Sequence, residues 1–269
     1  MRRFGIVMAA AGLALCLRSA ASAEEPAWDA RLTSISGDVR VSLSDAEEQG
    51  ESAAEADTPL SAGDRVLTGP DGKAEIALES ESLIELGPNS EFVVGSLDRT
   101  DSSFTLSFGH LIAKLRSLAS FEGRLRVHTP SAVAAVRGTE FGVDVSEQEG
   151  TAIGVFDEGE VEVSSQGAEF PQTRLKAGEE TEIVSVGGRI APLRVRRLRR
   201  LERFRVGLNR LRGRRAFLRA HWRALPPARR QEIRRRLHER MREIRRSGPR
   251  PERRRRLQQR ARRIERRSR

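Results

Sequence analysis

The sequence predicts an all-β domain of many short strands, arranged as a sandwich, roll or β-helix-like stack, followed by an α-helical basic tail. Three observations carry this reading. From Arg31 to Val186, short Val/Ile/Leu-rich segments alternate with polar residues and are punctuated by glycine, the pattern of half-buried strands. After Pro192 the apolar residues thin to a stripe spaced three and four apart, which is helical periodicity. Charge divides at the same boundary. Residues 24–190 hold 13 Lys/Arg against 32 Asp/Glu, a net −19, whereas residues 191–269 hold 33 Arg, no Lys and 6 Glu, a net +27. The overall +11 therefore belongs to the tail. A chain of 269 residues with 38% hydrophobic content supports one solid core and an appendage better than two cores.

The first element reads as a signal peptide over residues 1–23. Met1-Arg2-Arg3 supplies positive charge, Ile6 to Leu17 an apolar stretch, and Ala21-Ser22-Ala23 a small-residue cleavage site before Glu24. The apolar stretch is shorter than the ~18 residues of a membrane span, and Arg18 interrupts it. Cleavage at Ala21 and Ala23 predicts a periplasmic or secreted protein with no transmembrane span afterwards. Cys16 is the single cysteine and lies inside this segment. Leu15 before it disfavours lipoprotein processing, which wants a small side chain there. Removal of the signal leaves no thiol, which excludes disulfides, thiol catalysis and zinc-thiolate sites.

The β region follows as segments such as Val39-Arg40-Val41, Ala74-Glu75-Ile76-Ala77-Leu78, Leu83-Ile84-Glu85-Leu86 and Val161-Glu162-Val163. Alternation puts Val and Leu on a buried face and Arg or Glu outside. Leu111 to Phe121 is ambiguous between strand and helix. Between Ser44 and Pro59 an acidic, small-residue-rich stretch lacks apolar anchors and reads as a flexible loop; its spacing does not match a calcium loop. An internal echo runs through the region in one order. Gly37-Asp38-Val39-Arg40-Val41-Ser42 recurs as Gly159-Glu160-Val161-Glu162-Val163-Ser164, and Leu60-Ser61-Ala62-Gly63-Asp64 recurs as Leu175-Lys176-Ala177-Gly178-Glu179. A glycine turn feeding a strand, then a second glycine turn, reads as one supersecondary unit used twice.

In the tail, Leu198, Leu201, Phe204, Leu208, Leu211, Leu218, Trp222 and Leu225 form the first stripe. Pro226-Pro227 breaks it and suits the first turn of a second helix, with Ile233, Leu237, Met241 and Ile244. Ser247-Gly248-Pro249 breaks again before Leu257, Ala261 and Ile264. The tail thus reads as about three amphipathic helices over 192–269. So narrow a stripe cannot form a deep core, so the helices need each other, a partner or a surface.

Residues 31–188 resemble the FecR-type periplasmic domain. The strongest match is Val127-His128-Thr129-Pro130-Ser131-Ala132-Val133-Ala134-Ala135-Val136-Arg137-Gly138-Thr139-Glu140-Phe141, similar to that family's strand, Thr-Pro turn and Val-Arg-Gly-Thr-x-Phe element. Ala62-Gly63-Asp64-Arg65-Val66-Leu67-Thr68-Gly69, Ile84-Glu85-Leu86-Gly87-Pro88-Asn89-Ser90, Glu158-Gly159-Glu160-Val161 and Ala177-Gly178-Glu179 support it in order. The resemblance implies an all-β domain that works by protein contact. In the ferric-citrate regulator such a domain receives a signal from an outer-membrane receptor, and that protein's inner end controls a sigma factor. No cytoplasmic domain or membrane span is read here, so the module and its compartment carry over while the circuit does not. Phe217 to Arg230 also resembles helical Trp-Arg-x-Leu-Pro repeats of secreted proteobacterial proteins, over too short a stretch to assign a function.

The structural motif residues singled out are Thr129, Pro130, Arg137, Gly138, Thr139 and Phe141, with Gly63, Asp64, Gly159 and Gly178 at the turns. Gly138 permits a turn closed to bulkier residues and the Thr139 hydroxyl can bond nearby backbone. Arg137, between apolar residues, is expected to extend inward to a carboxylate, Asp64 or Glu160. His110, His128, His221 and His238 have no metal-ligand spacing, and no nucleophile elbow, P-loop or dinucleotide glycine pattern occurs. No cofactor and no metal is expected, and an enzyme is not. The expected function is a non-catalytic envelope interaction module, scaffold or sensor-like, with an envelope protein as partner. The alternative is a polyanion or membrane-surface binder that grips lipopolysaccharide or anionic lipid through the arginines. Export argues against nucleic acid. Against that alternative stands a tail that lies on its own −19 domain.

Overall fold

A computed structural model describes residues 27–46, 50–116, 124–146, 150–165, 170–186, 189–190 and 193–247. The expected signal peptide, with Ala21 and Ala23, and the third stripe of the tail lie outside the described residues. The strands are β1 (Ala30–Ser36), β2 (Val39–Ser42), β3 (Ser52–Ala53), β4 (Arg65–Thr68), β5 (Lys73–Leu78), β6 (Ser82–Leu86), β7 (Glu91–Leu97), β8 (Asp101–Lys114) and β9 (Arg124–His128). They continue as β10 (Val133–Arg137), β11 (Glu140–Ser146), β12 (Gly150–Val155), β13 (Glu160–Ser164), β14 (Thr173–Lys176), β15 (Glu179–Ile183), β16 (Ser185–Val186), β17 (Arg189–Ile190) and β18 (Arg196–Arg197).

Two layers share one long strand. The first runs β1-β5-β6-β8-β11-β12-β15-β18 and the second β3-β2-β4-β7-β8-β9-β10-β13-β14. The first half of β8 pairs β7 and β9 in the second layer; the second half pairs β6 and β11 in the first. Every pair is antiparallel except β8 with β9. Gly109, where β8 changes layers, has φ +87°, and a Cβ there would lie 2.3 Å from Ser90 Oγ. Only glycine supplies both the left-handed bend and the space. Leu111, within the ambiguous segment, belongs to β8.

Period-two alternation builds the core between the layers. Val39, Val41, Phe92, Phe104, Val127, Val161 and Val163 point in from the second layer, and Ile76, Ile84, Leu86, Phe141, Val143 and Ile153 from the first. Phe92 and Phe104 stack with centroids 5.2 Å apart.

The echoed segments occupy matching places. Gly37 and Gly159 have φ +68° and +89° and feed β2 and β13; Gly63 and Gly178 have φ +84° and +79° and feed β4 and β15. The acid after the second glycine closes its turn in both copies. Ser61 N donates to Asp64 Oδ2, and Lys176 N donates to Glu179 Oε2, each at 2.8 Å.

The tail begins with a 3-10 turn, Leu201–Phe204, and continues as α1 (Arg205–His221) and α2 (Pro227–Ser247). Pro227 opens α2, where a missing amide proton costs nothing. The partner of the narrow stripes is the β domain itself. Leu198, Leu201, Leu208, Leu211 and Leu218 pack on the outer side of the first layer with Ala77, Leu83, Ile112, Ala152 and Phe156. Ile233, Leu237 and Met241 join the main core, while Ile244 is exposed. Each fully buried Leu or Ile contributes roughly 1.5–3 kcal/mol, so the stripe is the main force holding the tail down.

Candidate functional site: an acidic face clasped by the arginine tail

The alternation that sends Ile76, Ile84, Phe141 and Val143 inward sends Glu75, Glu85, Glu140 and Asp144 to the outer side of the first layer. Glu75, Glu140 and Asp144 are nonetheless buried, because the tail covers them. Carboxylates removed from water need compensation, and arginines provide it. Arg200 and Arg203 reach Asp144 at 2.8 and 2.7 Å, Arg210 reaches Glu85 at 2.8 Å, and Arg214 reaches Glu75 at 3.1 Å. Arg212 bridges Glu140 and Asp157, Arg205 also meets Asp157, and Lys114 lies 3.0 Å from Glu140 on the strand side. Burial pushes the Glu140 carboxyl up, but the hydrogen bonds from Arg212 and Lys114 outweigh it and hold it below the usual range. Hydrogen bonds from Arg212 and Arg205 lower Asp157.

The start of the tail is fixed by backbone. Arg200 N and Leu201 N donate to the two oxygens of buried Glu180 at 2.9 and 3.1 Å. Amides at the start of a helical turn have no partner within it, and a carboxylate supplies one. His110 stacks on Phe204 with centroids 4.4 Å apart, and burial pushes its pKa down, favouring the uncharged ring beneath the turn.

The described residues of the acidic stretch, 44–46 and 50–59, receive α2, in place of the flexible loop expected there. The stretch lacks apolar anchors of its own, and α2 brings them. Met241 lies 3.7 Å from the place of a Cβ on Gly50, Arg236 and Arg240 both pair with Glu55, and Arg234 pairs with Asp45 at 2.6 Å. Arg234 also reaches fully buried Asp64 at 2.7 Å. Burial disfavours the Arg234 charge, but hydrogen bonds to Asp64 and Asp45 raise its pKa further. At the joint between α1 and α2, Trp222 lies beneath the guanidinium of Arg31 in β1, 3.9 Å from ring centre to carbon.

The motif residues gather at two corners. Thr129 closes the β9–β10 turn: its Oγ1 is 3.0 Å from both the amide and the carbonyl of Ala132, which sets Pro130 at the exposed tip. Gly138, φ +45°, and Thr139 turn the chain from the second layer into the first. The Thr139 hydroxyl donates to Glu158 O, and Gly159 packs against Thr139 so closely that a Cβ would lie 2.3 Å from its Cβ. Phe141 enters the core. Arg137 corrects the sequence expectation. Val136 takes the inward place, so alternation puts Arg137 outside, exposed and opposite Glu160 in register. The buried carboxylate of Asp64 is held by Arg234 of the tail instead. The sequence reading missed Arg200, Arg212, Arg234 and Glu180 as site residues; the opposite net charges of the two regions were the signal, but not one that could pick partners.

The family model described as FecR protein matches residues 64–162. This stretch is similar to a FecR-type domain. The match opens on Asp64 and takes in both motif corners, the switch strand β8 and most of the acidic face. Two crystal structures of a candidate anti-sigma factor from Parabacteroides distasonis, at 1.65 and 2.50 Å resolution, are similar to the chain. Each is 16% identical with a TM-score of 0.43, covering 51% and 52% of this chain and 61% and 63% of theirs. The chain thus spans about three-fifths of the length of those proteins. No curated protein matches it at a significant level. The helices clasping the FecR-type domain lie outside the matched residues. No described helix is long and apolar enough to cross a membrane, and no group of three metal-ligating side chains occurs among the described residues.

Proposed function

We propose that the chain is a non-catalytic interaction module of the bacterial envelope, scaffold or sensor-like, in which the FecR-type domain binds a protein and the arginine tail is an internal clasp. The match over residues 64–162 carries the first part, since the resemblance implies work by protein contact. The signal-like residues 1–23 support an exported location. The clasp follows from where the arginines go: Arg200, Arg210, Arg212, Arg214 and Arg234 are spent on carboxylates of the same chain. Nothing among the described residues favours lipopolysaccharide or anionic lipid as the tail's partner.

With the outer side of the first layer covered by the tail, the outer side of the second is the surface of the strand domain we assign to a partner. Thr105 sits within it on β8, between inward Phe104 and Leu106. A photo-crosslinking amino acid at Thr105, in cells of a bacterium that carries the gene, is expected to yield one discrete adduct with an envelope protein. The same group at exposed Ala220 on α1 is expected to yield none. Absence of any protein adduct from Thr105 would overturn the reading.

A further inference from the structure

At the open end of the sandwich, where β8 passes between layers, lies a cleft of about 770 Å³ that no described residue of the tail lines. Its apolar wall is Leu67, Phe108, Pro130, Val145 and Ile183. Phe108 leaves 41% of its surface exposed, whereas Phe92, Phe104 and Phe141 are fully buried. An aromatic ring held half in water is stabilised by whatever covers it. Among the described residues the lining is almost free of charge, in a chain with 32% charged residues. Its one ionisable side chain among them, Glu91, lies 3.5 Å from Arg65. A charged ligand would lose its hydration against this described lining with little compensation, so the lining favours an uncharged ligand over the arginine tail of a second copy. Beside Val145 and Ile183, both paired in register with Thr151, the lining offers polarity of another kind. Ser131 and Thr151 are hydrogen-bonded through their hydroxyls at 2.8 Å, so one hydroxyl proton lies between them and the other can be donated. Thr129, by closing its turn, sets Pro130 and Ser131 on this rim, a use of the motif that packing of the core does not require.

We propose that this cleft is a binding site for an uncharged amphiphilic small molecule, its flat apolar body against Phe108 and an acceptor oxygen at the Ser131–Thr151 pair. The volume falls in the usual range for such ligands, about 300–1,000 Å³. Nile red, a flat uncharged dye with a ring carbonyl, is the probe, and the full chain is used. Saturable, blue-shifted emission at about one equivalent is expected. Phe108→Asp is expected to weaken binding about tenfold or more with an unchanged melting midpoint, Ser131→Ala about fivefold, and Phe108→Leu less than about threefold. Should Phe108→Asp fail to fold, Ser131→Arg, which sets a charge elsewhere on the lining, decides in its place. Three results would each overturn the proposal: no saturable signal, equal binding by the folded charged variant and the unmodified chain, or equally tight binding of the anionic dye 8-anilinonaphthalene-1-sulfonate.

Discussion

Asp64 and Arg234 meet at 2.7 Å across 170 residues of chain, and the same carboxylate accepts the amides of Ser44 and Ser61 at 2.8 Å each. The acid that closes a turn of the FecR-type domain is therefore also the socket for the tail. Glu180, one residue past the corresponding acid of the second echo, holds the start of the tail by its backbone. The two copies of the echoed unit thus anchor the start of the tail and the middle of α2.

The socket makes a stability prediction. Arg234→Ala leaves the fully buried Asp64 carboxylate without its counter-charge, a loss of about 3–5 kcal/mol, although the two amides still hold it. Exposed pairs such as Arg40 with Asp38 contribute at most about 1 kcal/mol. Urea unfolding is expected to rank Arg234→Ala far below Arg40→Ala. A double-mutant cycle with Asp64→Asn is expected to give a coupling above about 1 kcal/mol; additivity would show that the pair does not act as one unit.

The clasp is held by its leucines more than by its charges. Leu208 is fully buried, and Leu208→Asp puts a carboxylate into the apolar seam against Leu83 and Ile112. Limited trypsin digestion is expected to cut slowly after Arg210, Arg212 and Arg214 in the unmodified protein and rapidly in the variant, while Val206→Asp, at a position 77% exposed, digests at the original rate. Equal rates in all three would mean that α1 is not docked by this seam.

Acid should loosen the same seam. Glu140 and Asp157 titrate lower in the folded chain than in the unfolded one, because Arg212 bonds to both. Their contribution is therefore fully present above the unfolded value, ~4, and is lost as pH falls through the lower folded value. The melting midpoint is expected to drop between about pH 5 and pH 2. Arg212→Met melts lower at neutral pH and has a flatter profile across that window; parallel profiles would rule out Arg212 as the origin of the shift.

Two glycines of the echo are separated by their surroundings. Gly159 and Gly178 share a left-handed backbone, but a Cβ at Gly159 would lie 2.3 Å from Thr139 Cβ, and one at Gly178 meets nothing within 4 Å. Gly178→Ala then costs about 1 kcal/mol for the backbone alone, and Gly159→Ala clearly more, because the corner with Thr139 has to open. Chemical denaturation checks the order, and equal costs would remove the tight corner from the account.

The strands, the first two helical stripes, the Pro227 start of α2 and the echoed glycine turns were legible in the residues alone. These are local matters: alternation, periodicity and the few residues that tolerate a left-handed backbone. The sequence also separated an acidic region from a basic one. The packed chain was needed to show which carboxylate an arginine such as Arg212 or Arg234 meets, that Gly50 and Glu55 help seat α2, and that Arg137 points outward while Asp64 holds Arg234. The physical reason is that a net charge attracts without direction, and arginines by the dozen are interchangeable until the apolar seams of α1 and α2 fix where each helix lies.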